Sequence, residues 1–153
     1  MTTPQLFQPT HIGDIAIANR IVMAPLTRSR ADEANGDTPG SAMNVDYYRQ
    51  RSGAGLIISE GTQVSPLGKG YMATPGIYSD AQVEGWKPIT QAVHDAGSKI
   101  IAQIWHVGRI THPDLTGGAQ PVAPSAIQPK VVAYTPNGKV DVPVPHALTT
   151  AEV

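Results

Sequence analysis

Arg20-Ile-Val-Met-Ala-Pro-Leu-Thr-Arg28 is the stretch on which the fold of this chain turns. Ile21 to Ala24 reads as a short buried strand, and Pro25 stops it. A strand halted by proline leaves its last carbonyls and the next N–H groups pointing off the end of the sheet. In parallel α/β folds that carboxyl end is where ligands sit. Pro25, Leu26 and Thr27 therefore read as the rim of a site, with the Thr27 hydroxyl as its adjustable polar contact. The plainer reading of Thr27 is a turn or helix-capping hydroxyl.

Outward from this strand the pattern alternates between element types. Leu6 to Ile17 alternates apolar and polar around Gly13-Asp14, which predicts a β-hairpin. Ser41 to Arg51 reads as a helix with Met43, Tyr47 and Tyr48 inward. Leu56 to Ser59 is a continuous apolar run suited to a strand covered on both faces. Ser79 and Gln82 form a capping box for a helix running through Val83, Trp86, Ile89 and Val93 to Gly97. Lys99 to Trp105 predicts a third buried strand. Val131 to Val142 alternates around Asn137-Gly138, a type I′ hairpin signal. Ala147 to Val153 opens a helix at Thr149 or Thr150 with nothing after it, which reads as an incomplete chain.

The core order is β-α-β-α-β with right-handed crossovers. Two observations favour the opening of a (β/α)8 barrel over a doubly wound sheet. Ala24-Pro-Leu-Thr-Arg-Ser-Arg30 carries no G-x-G-x-x-G fingerprint. The polar and aromatic residues also gather at the carboxyl ends of the strands: Thr27, then Glu60-Gly-Thr62, then Gln103 and Trp105. Three strands cannot close such a barrel, which takes about 250 residues. Residues 1–153 thus read as the N-terminal segment of one barrel domain.

Composition limits the functions available. Hydrophobic residues are 41% and charged residues 15%, which excludes disorder. Eleven Lys and Arg balance twelve Asp and Glu, leaving no electrostatic footprint for nucleic acid or an anionic membrane. Cysteine is absent, so there is no disulfide, thiolate nucleophile or Cys-based metal site. The start, Met-Thr-Thr-Pro-Gln, lacks the basic and apolar regions of a secretion signal, and no run approaches the ~20 apolar residues of a membrane span. A cytoplasmic protein, without a metal, is expected.

The motifs Asn19-Arg-Ile-Val-Met-Ala-Pro-Leu-Thr-Arg28, Tyr47-Tyr-Arg-Gln-Arg51, Gly55-Leu-Ile-Ile-Ser-Glu-Gly-Thr62, Lys69-Gly-Tyr71 and Gln103-Ile-Trp-His-Val-Gly-Arg109 recur in order over nearly the whole chain. In them the chain resembles the N-terminal part of the Old Yellow Enzyme family. These are FMN-dependent alkene reductases, and the pattern is nearest to the bacterial N-ethylmaleimide and pentaerythritol tetranitrate reductases. A related subgroup has Cys at the Thr27 position and no Trp at 105, so this chain resembles the other branch.

The resemblance implies a TIM barrel with an N-terminal β-hairpin lid and a β-hairpin arm after the third strand. It implies an ene-reductase that uses NADPH or NADH to reduce activated C=C bonds of α,β-unsaturated carbonyl or nitro compounds. It places Pro25, Leu26, Thr27, Gly61 and Gln103 on the flavin edge, and Thr27, Tyr71 and Trp105 in the substrate pocket. Gln103 carries both donor and acceptor and would meet N3–H and O2 together. A glutamine amide within a buried strand has to be satisfied, which argues against a structural role. Trp105 has the plainer reading of a core residue.

Glu60 reads as a structural salt bridge; a glycoside hydrolase using it would lack a second placed carboxylate. His106 and Arg109 read as loop-holding residues, and His94 and His112 as surface ones. Tyr134 lies on the arm. By the family pattern the proton donor and the phosphate-binding residues lie beyond Val153, so no catalytic residue is assigned here. The implied partner is a complementary C-terminal segment that completes the barrel, with a small activated alkene as substrate. A non-catalytic half-barrel remnant or binding module is the alternative.

Overall fold

The computed structural model describes residues 4–153; the reading of the first residues as lacking a secretion signal lies in part outside them. Strands β1 (Thr10–Ile12) and β2 (Ile15–Ile17) form an antiparallel hairpin that pairs Thr10 with Ile17. It turns at Gly13 and is narrower than the alternation predicted. Strand β3 (Val22–Met23) leads through a long loop to helix α1 (Ala42–Arg49), and strand β4 (Leu56–Gln63) follows. Helix α2 (Asp80–Asp95) then connects to strand β5 (Lys99–Trp105). β3, β4 and β5 make one parallel sheet in that order, so each helix is a crossover between neighbouring strands.

Local sequence explains these elements. Ser41 caps α1, its hydroxyl accepting from the Asn44 N–H. Ser79 and Gln82 satisfy each other's backbone N–H groups at the start of α2, the capping box read from the sequence. β4 is buried along most of its length, as its apolar run predicted. The core lies between the sheet and the two helices, where Tyr48, Ile57, Trp86, Ile89 and Val93 pack together. Full burial of each aliphatic member contributes about 1.5–3 kcal/mol. The Trp86 indole N–H donates to the Gly76 carbonyl at 3.1 Å, so its polar atom is not stranded.

Three packing expectations are corrected. α1 turns Asn44 and Tyr48 inward while Met43 stands 63% exposed, because residues four apart share a helix face and the face of 44 and 48 is the one α1 turns to the interior. β3 is shorter than predicted, and its Val22 is 41% exposed. β5 is an open edge rather than a buried strand: Gln103 is exposed and Ile104 is 65% exposed. Within the described residues both outer strands have β4 on one side and no strand on the other.

Strands β6 (Val122–Ala123) and β9 (His146–Ala147) form a short parallel pair, with the antiparallel hairpin β7 (Val132–Thr135) and β8 (Gly138–Asp141) between them. The turn is not type I′. Thr135 pairs with Gly138, so the loop residues are Pro136 and Asn137, and Asn137 does not have positive φ. Only Gly138 does, at φ 101°. Proline at the first turn position fixes a negative φ there, which favours a type I turn relieved by a left-handed glycine. Asp114 accepts from Thr135 Oγ1 (3.1 Å) and Asn137 Nδ2 (3.0 Å), tying the turn to the preceding loop. At the end of the chain residues 150–152 form a turn rather than the opening of a helix. The Thr149 hydroxyl donates to Glu152 Oε2 (2.8 Å) instead of accepting a backbone N–H, so the N-cap expected at Thr149 or Thr150 does not form among the described residues.

Candidate functional site at the carboxyl ends of the strands

The ladder between β4 and β5 slips by one residue before it reaches the tip. Ile58 pairs with Ile101, but Gly61 pairs with Gln103, so β4 carries one extra residue at Ser59-Glu60. Such bulges re-aim side chains and gather beside active sites. Here the extra residue is fully bonded. Ser59 Oγ donates to the Glu60 carbonyl (2.8 Å) and accepts from the Gln103 N–H (3.1 Å), and Thr62 Oγ1 donates to the same carbonyl (2.9 Å).

The bulge delivers the Glu60 carboxyl to Tyr48 and to the loop after β3. Glu60 is 2% exposed. Its Oε1 accepts from the Tyr48 hydroxyl (3.3 Å), whose oxygen accepts from the Glu60 N–H (3.0 Å). Its Oε2 accepts from the Arg28 backbone N–H at 3.0 Å, one residue past Thr27. The expected salt bridge is absent among the described ion pairs, because the bond goes to the Arg28 backbone while its guanidinium stacks 4.8 Å from the Tyr47 ring centroid. Glu60 thus positions the loop that carries Pro25, Leu26 and Thr27.

Burial raises the Glu60 pKa, and the Arg28 N–H, the Tyr48 hydroxyl and the Arg28 charge offset this only in part. The native carboxyl therefore holds its proton more tightly than the unfolded one. Its contribution is favourable below the unfolded pKa and is lost as pH rises through the folded one. Glu60→Gln is accordingly expected to raise the melting temperature at pH 8 in the protein with a completed barrel, the gain shrinking to nothing on acidification towards pH 4. Thermal melts across that range check it; a variant less stable than the parent at pH 8 would mean the charge is fully compensated.

A second polar cluster fixes the other rim loop. Lys69 Nζ lies 2.6 Å from Asp37 Oδ1 and 2.9 Å from Glu33 Oε1, and the Lys69 and Asp37 side chains are both 11% exposed. Thr111 Oγ1 donates to the Lys69 carbonyl (2.6 Å), and the Ala31 N–H donates to the Ala73 carbonyl (2.9 Å). The loop after β3 and the loop after β4 are therefore joined on either side of Tyr71. Three non-glycine residues take left-handed backbone in these same loops: Ser29 (φ 51°), Asp37 (58°) and Ala73 (52°). Backbone of this kind concentrates where a site is held in shape by its surroundings.

Among the residues read from the sequence, Tyr71 and Trp105 come together, with ring centroids 5.8 Å apart and planes tilted 34°. Gly61 lies under Trp105: a Cβ at position 61 would run into the indole carbons Cδ2, Cε3 and Cζ3. Gln103 stands opposite Gly61, but its amide is exposed rather than buried, because β5 has no strand beyond it. The Gln103 amide, the Leu26 and Thr27 N–H groups and the Thr27 hydroxyl make no hydrogen bond within the described residues. These groups are donors and acceptors at the tips of the strands, the set that the hydrogen-bonding edge of a planar heterocycle requires.

His106 Nδ1 accepts from the Gly108 N–H at 3.0 Å, and Arg109 donates to the Ile127 carbonyl at 3.0 Å, so both hold the loop after β5 as expected. His112 is not a simple surface residue: it is half-buried, with Nδ1 3.4 Å from Asp114 Oδ1. The sequence reading turned Tyr48 inward but gave its hydroxyl no partner, and it gave no role to the side chains of Ser59, Asp37 or Lys69. Lysine and aspartate buried in loops are the detectable signal, but their pairing spans 32 residues and no local pattern announces it. No group of three or more His, Asp or Glu among the described residues is placed to hold a metal ion, and none of their helices is long and apolar enough to cross a membrane.

The NADH:flavin oxidoreductase / NADH oxidase family matches residues 5–153. The chain belongs to that family. The Old Yellow Enzyme homologue of Zymomonas mobilis superposes with a TM-score of 0.90 at 50% identity, over 97% of this chain and 41% of that one. The flavin oxidoreductase hxnT of Emericella nidulans is 43% identical over 97% of this chain and 38% of its own length. A probable flavin mononucleotide-dependent alkene reductase of Leishmania infantum is 40% identical over 97% of this chain and 41% of its own. The chain thus spans about two fifths of these relatives. Its three parallel strands and two helices are part of an α/β barrel.

Proposed function

We propose that this chain supplies one flavin edge and part of the substrate wall of an FMN-dependent ene-reductase, which acts once a further segment completes the barrel. NADPH or NADH is the reductant, and activated alkenes bearing a carbonyl or nitro group are the substrates. When bound, FMN would supply the hydride chemistry. The observation that carries the reading is the open polar set at the strand tips, on a chain of this family.

Each residue has a defined task in this reading. The backbone of Pro25 and Leu26 and the Thr27 hydroxyl would hold one edge of the ring, the hydroxyl donating to a ring carbonyl. A hydrogen bond of this kind is worth about 1–3 kcal/mol when the acceptor carries charge, enough to favour one redox state over the other. The Gln103 amide would donate and accept at N3–H and O2, and the Gly61 N–H would add a backbone donor. Trp105 and Tyr71 wall the substrate side and exclude water. Glu60, through the Arg28 N–H, fixes where Thr27 stands. The hairpin β1–β2 serves as a lid of the barrel, and β7–β8 as an arm.

The purified protein, with its completing segment, is expected to show the visible bands of bound flavin. Those bands should bleach with NADPH or NADH and return on addition of an enone. Colourless material that stays inert to both would sink the reading and leave the non-catalytic half-barrel as the better one.

A further inference from the structure

We propose that Gly61 is a positioning residue for Trp105, and that the depth at which the indole seats on β4 sets which alkene substituents the pocket admits. This rests on the ene-reductase reading above. Gly61 pairs with Gln103 and Gln63 with Trp105, so the indole on β5 leans back across the strand position two residues earlier on β4. A Cβ at Gly61 would overlap Cδ2, Cε3 and Cζ3 of the ring. These are atoms of a rigid bicycle rather than the loose end of a flexible chain, so any side chain at 61 has to lift the ring off the strand.

Nothing else pins the ring at this depth by hydrogen bonding. The Trp105 indole N–H is buried and has no partner among the described residues, which leaves packing to fix its place. The neighbouring ring, Tyr71, is 45% exposed and sits on the loop that Lys69 ties to Asp37 and Glu33, so its backbone is held beside the open side of the indole. Lifting Trp105 therefore takes room from the substrate side. A bulky group on the reacting alkene is the part that loses space.

The test is Gly61→Ala in the flavin-loaded protein with its completed barrel, assayed on one small enone and one enone with a bulky β-substituent. The ratio of their kcat/KM values cancels any common effect on the flavin. It is expected to fall by about tenfold or more against the bulky substrate, the range in which a pocket reads one or two carbons. In apo-protein the Trp105 emission, taken as parent minus Trp105→Phe in each background, should shift when Ala replaces Gly61. If Gly61→Ala does not fold, adding Trp105→Leu should restore folding by removing the overlap, and failure of that rescue overturns the seat. An unshifted emission overturns it too, and a shifted emission with an unchanged ratio overturns the specificity role. A parent protein that binds no flavin sinks the ene-reductase reading, and the selectivity claim with it, while the apo-protein emission still decides whether Gly61 seats Trp105.

Discussion

Purified by themselves, these 153 residues are expected to bind the dye ANS and to melt without a cooperative transition. Among the described residues β3 and β5 each pair with β4 and no other strand, and they offer their outer edges to any passing strand. Val22, Ile101 and Ile104 stand 41%, 40% and 65% exposed on the two edge strands. Covering an aliphatic side chain fully is worth about 1.5–3 kcal/mol, and the net stability of a whole domain is only about 5–15 kcal/mol. Three such residues left partly uncovered forfeit a large share of that margin. Compaction with fluctuating packing is the state that remains. Addition of the completing segment should suppress dye binding and produce a single transition. A sharp calorimetric peak from the 153 residues alone would show that the two crossovers and β4 suffice.

Lys69→Met is expected to destabilise the completed protein by about 3–5 kcal/mol, the usual outcome when one partner of a buried ion pair is removed. Asp37 would keep its carboxylate in the interior, with Gln63 Nε2 at 3.5 Å as its remaining side-chain donor. The residue's left-handed backbone would then be held by less. Replacing both charges, as in Lys69→Met with Asp37→Leu, should recover part of the loss.

The pH profile provides a second reading of the same pair. Burial pulls the Lys69 pKa down, but hydrogen bonds and charge from Asp37 and Glu33 outweigh it, and the net direction is upward from 10.5. A cation with a raised folded pKa contributes fully below its unfolded value and loses that contribution as pH climbs through the folded one. The gap between parent and variant should therefore begin to narrow above about pH 10.5 and close as pH passes the folded pKa. Glu33 is shifted the other way: burial raises its pKa, but the Lys69 hydrogen bond, the Ala73 N–H and the Lys69 charge bring it below 4.5. Its contribution is present above that value and fades as pH falls through the folded pKa. Its side chain is 42% exposed, so solvent screens most of the effect. Chemical denaturation at several pH values measures both; a gap that is the same at pH 7 and pH 11 would remove Lys69 from the account.

The sequence was most legible where a segment is covered by its own neighbours. β4 and α2 are bracketed by residues of this chain, and both match the apolar run and the capping box that predicted them. Tyr71 and Trp105, read as neighbours in one pocket, have their rings together. The misreadings have physical causes. An apolar strand records the burial it is made for, so Ile104 and Gln103 read as interior although, among the described residues, no strand lies beyond β5. Helical spacing alone did not separate Met43 from Asn44 as the inward residue, since that depends on how α1 is rotated against β4. Asn-Gly suggested a type I′ turn, but the preceding Pro136 had already fixed the backbone sign. Glu60 read as an ion pair because partners far apart in sequence, such as the Tyr48 hydroxyl, leave no trace in local pattern.

The one-residue slip at Ser59-Glu60 bears on any attempt to graft this site onto another scaffold. Strict alternation along the strand holds up to Ile58 and restarts out of phase from Gly61. A transplanted β4 without its surplus residue would turn its far end over, presenting the wrong face at the strand tips. A donor segment has to travel with Ser59 and Thr62, whose hydroxyls keep the offset in place.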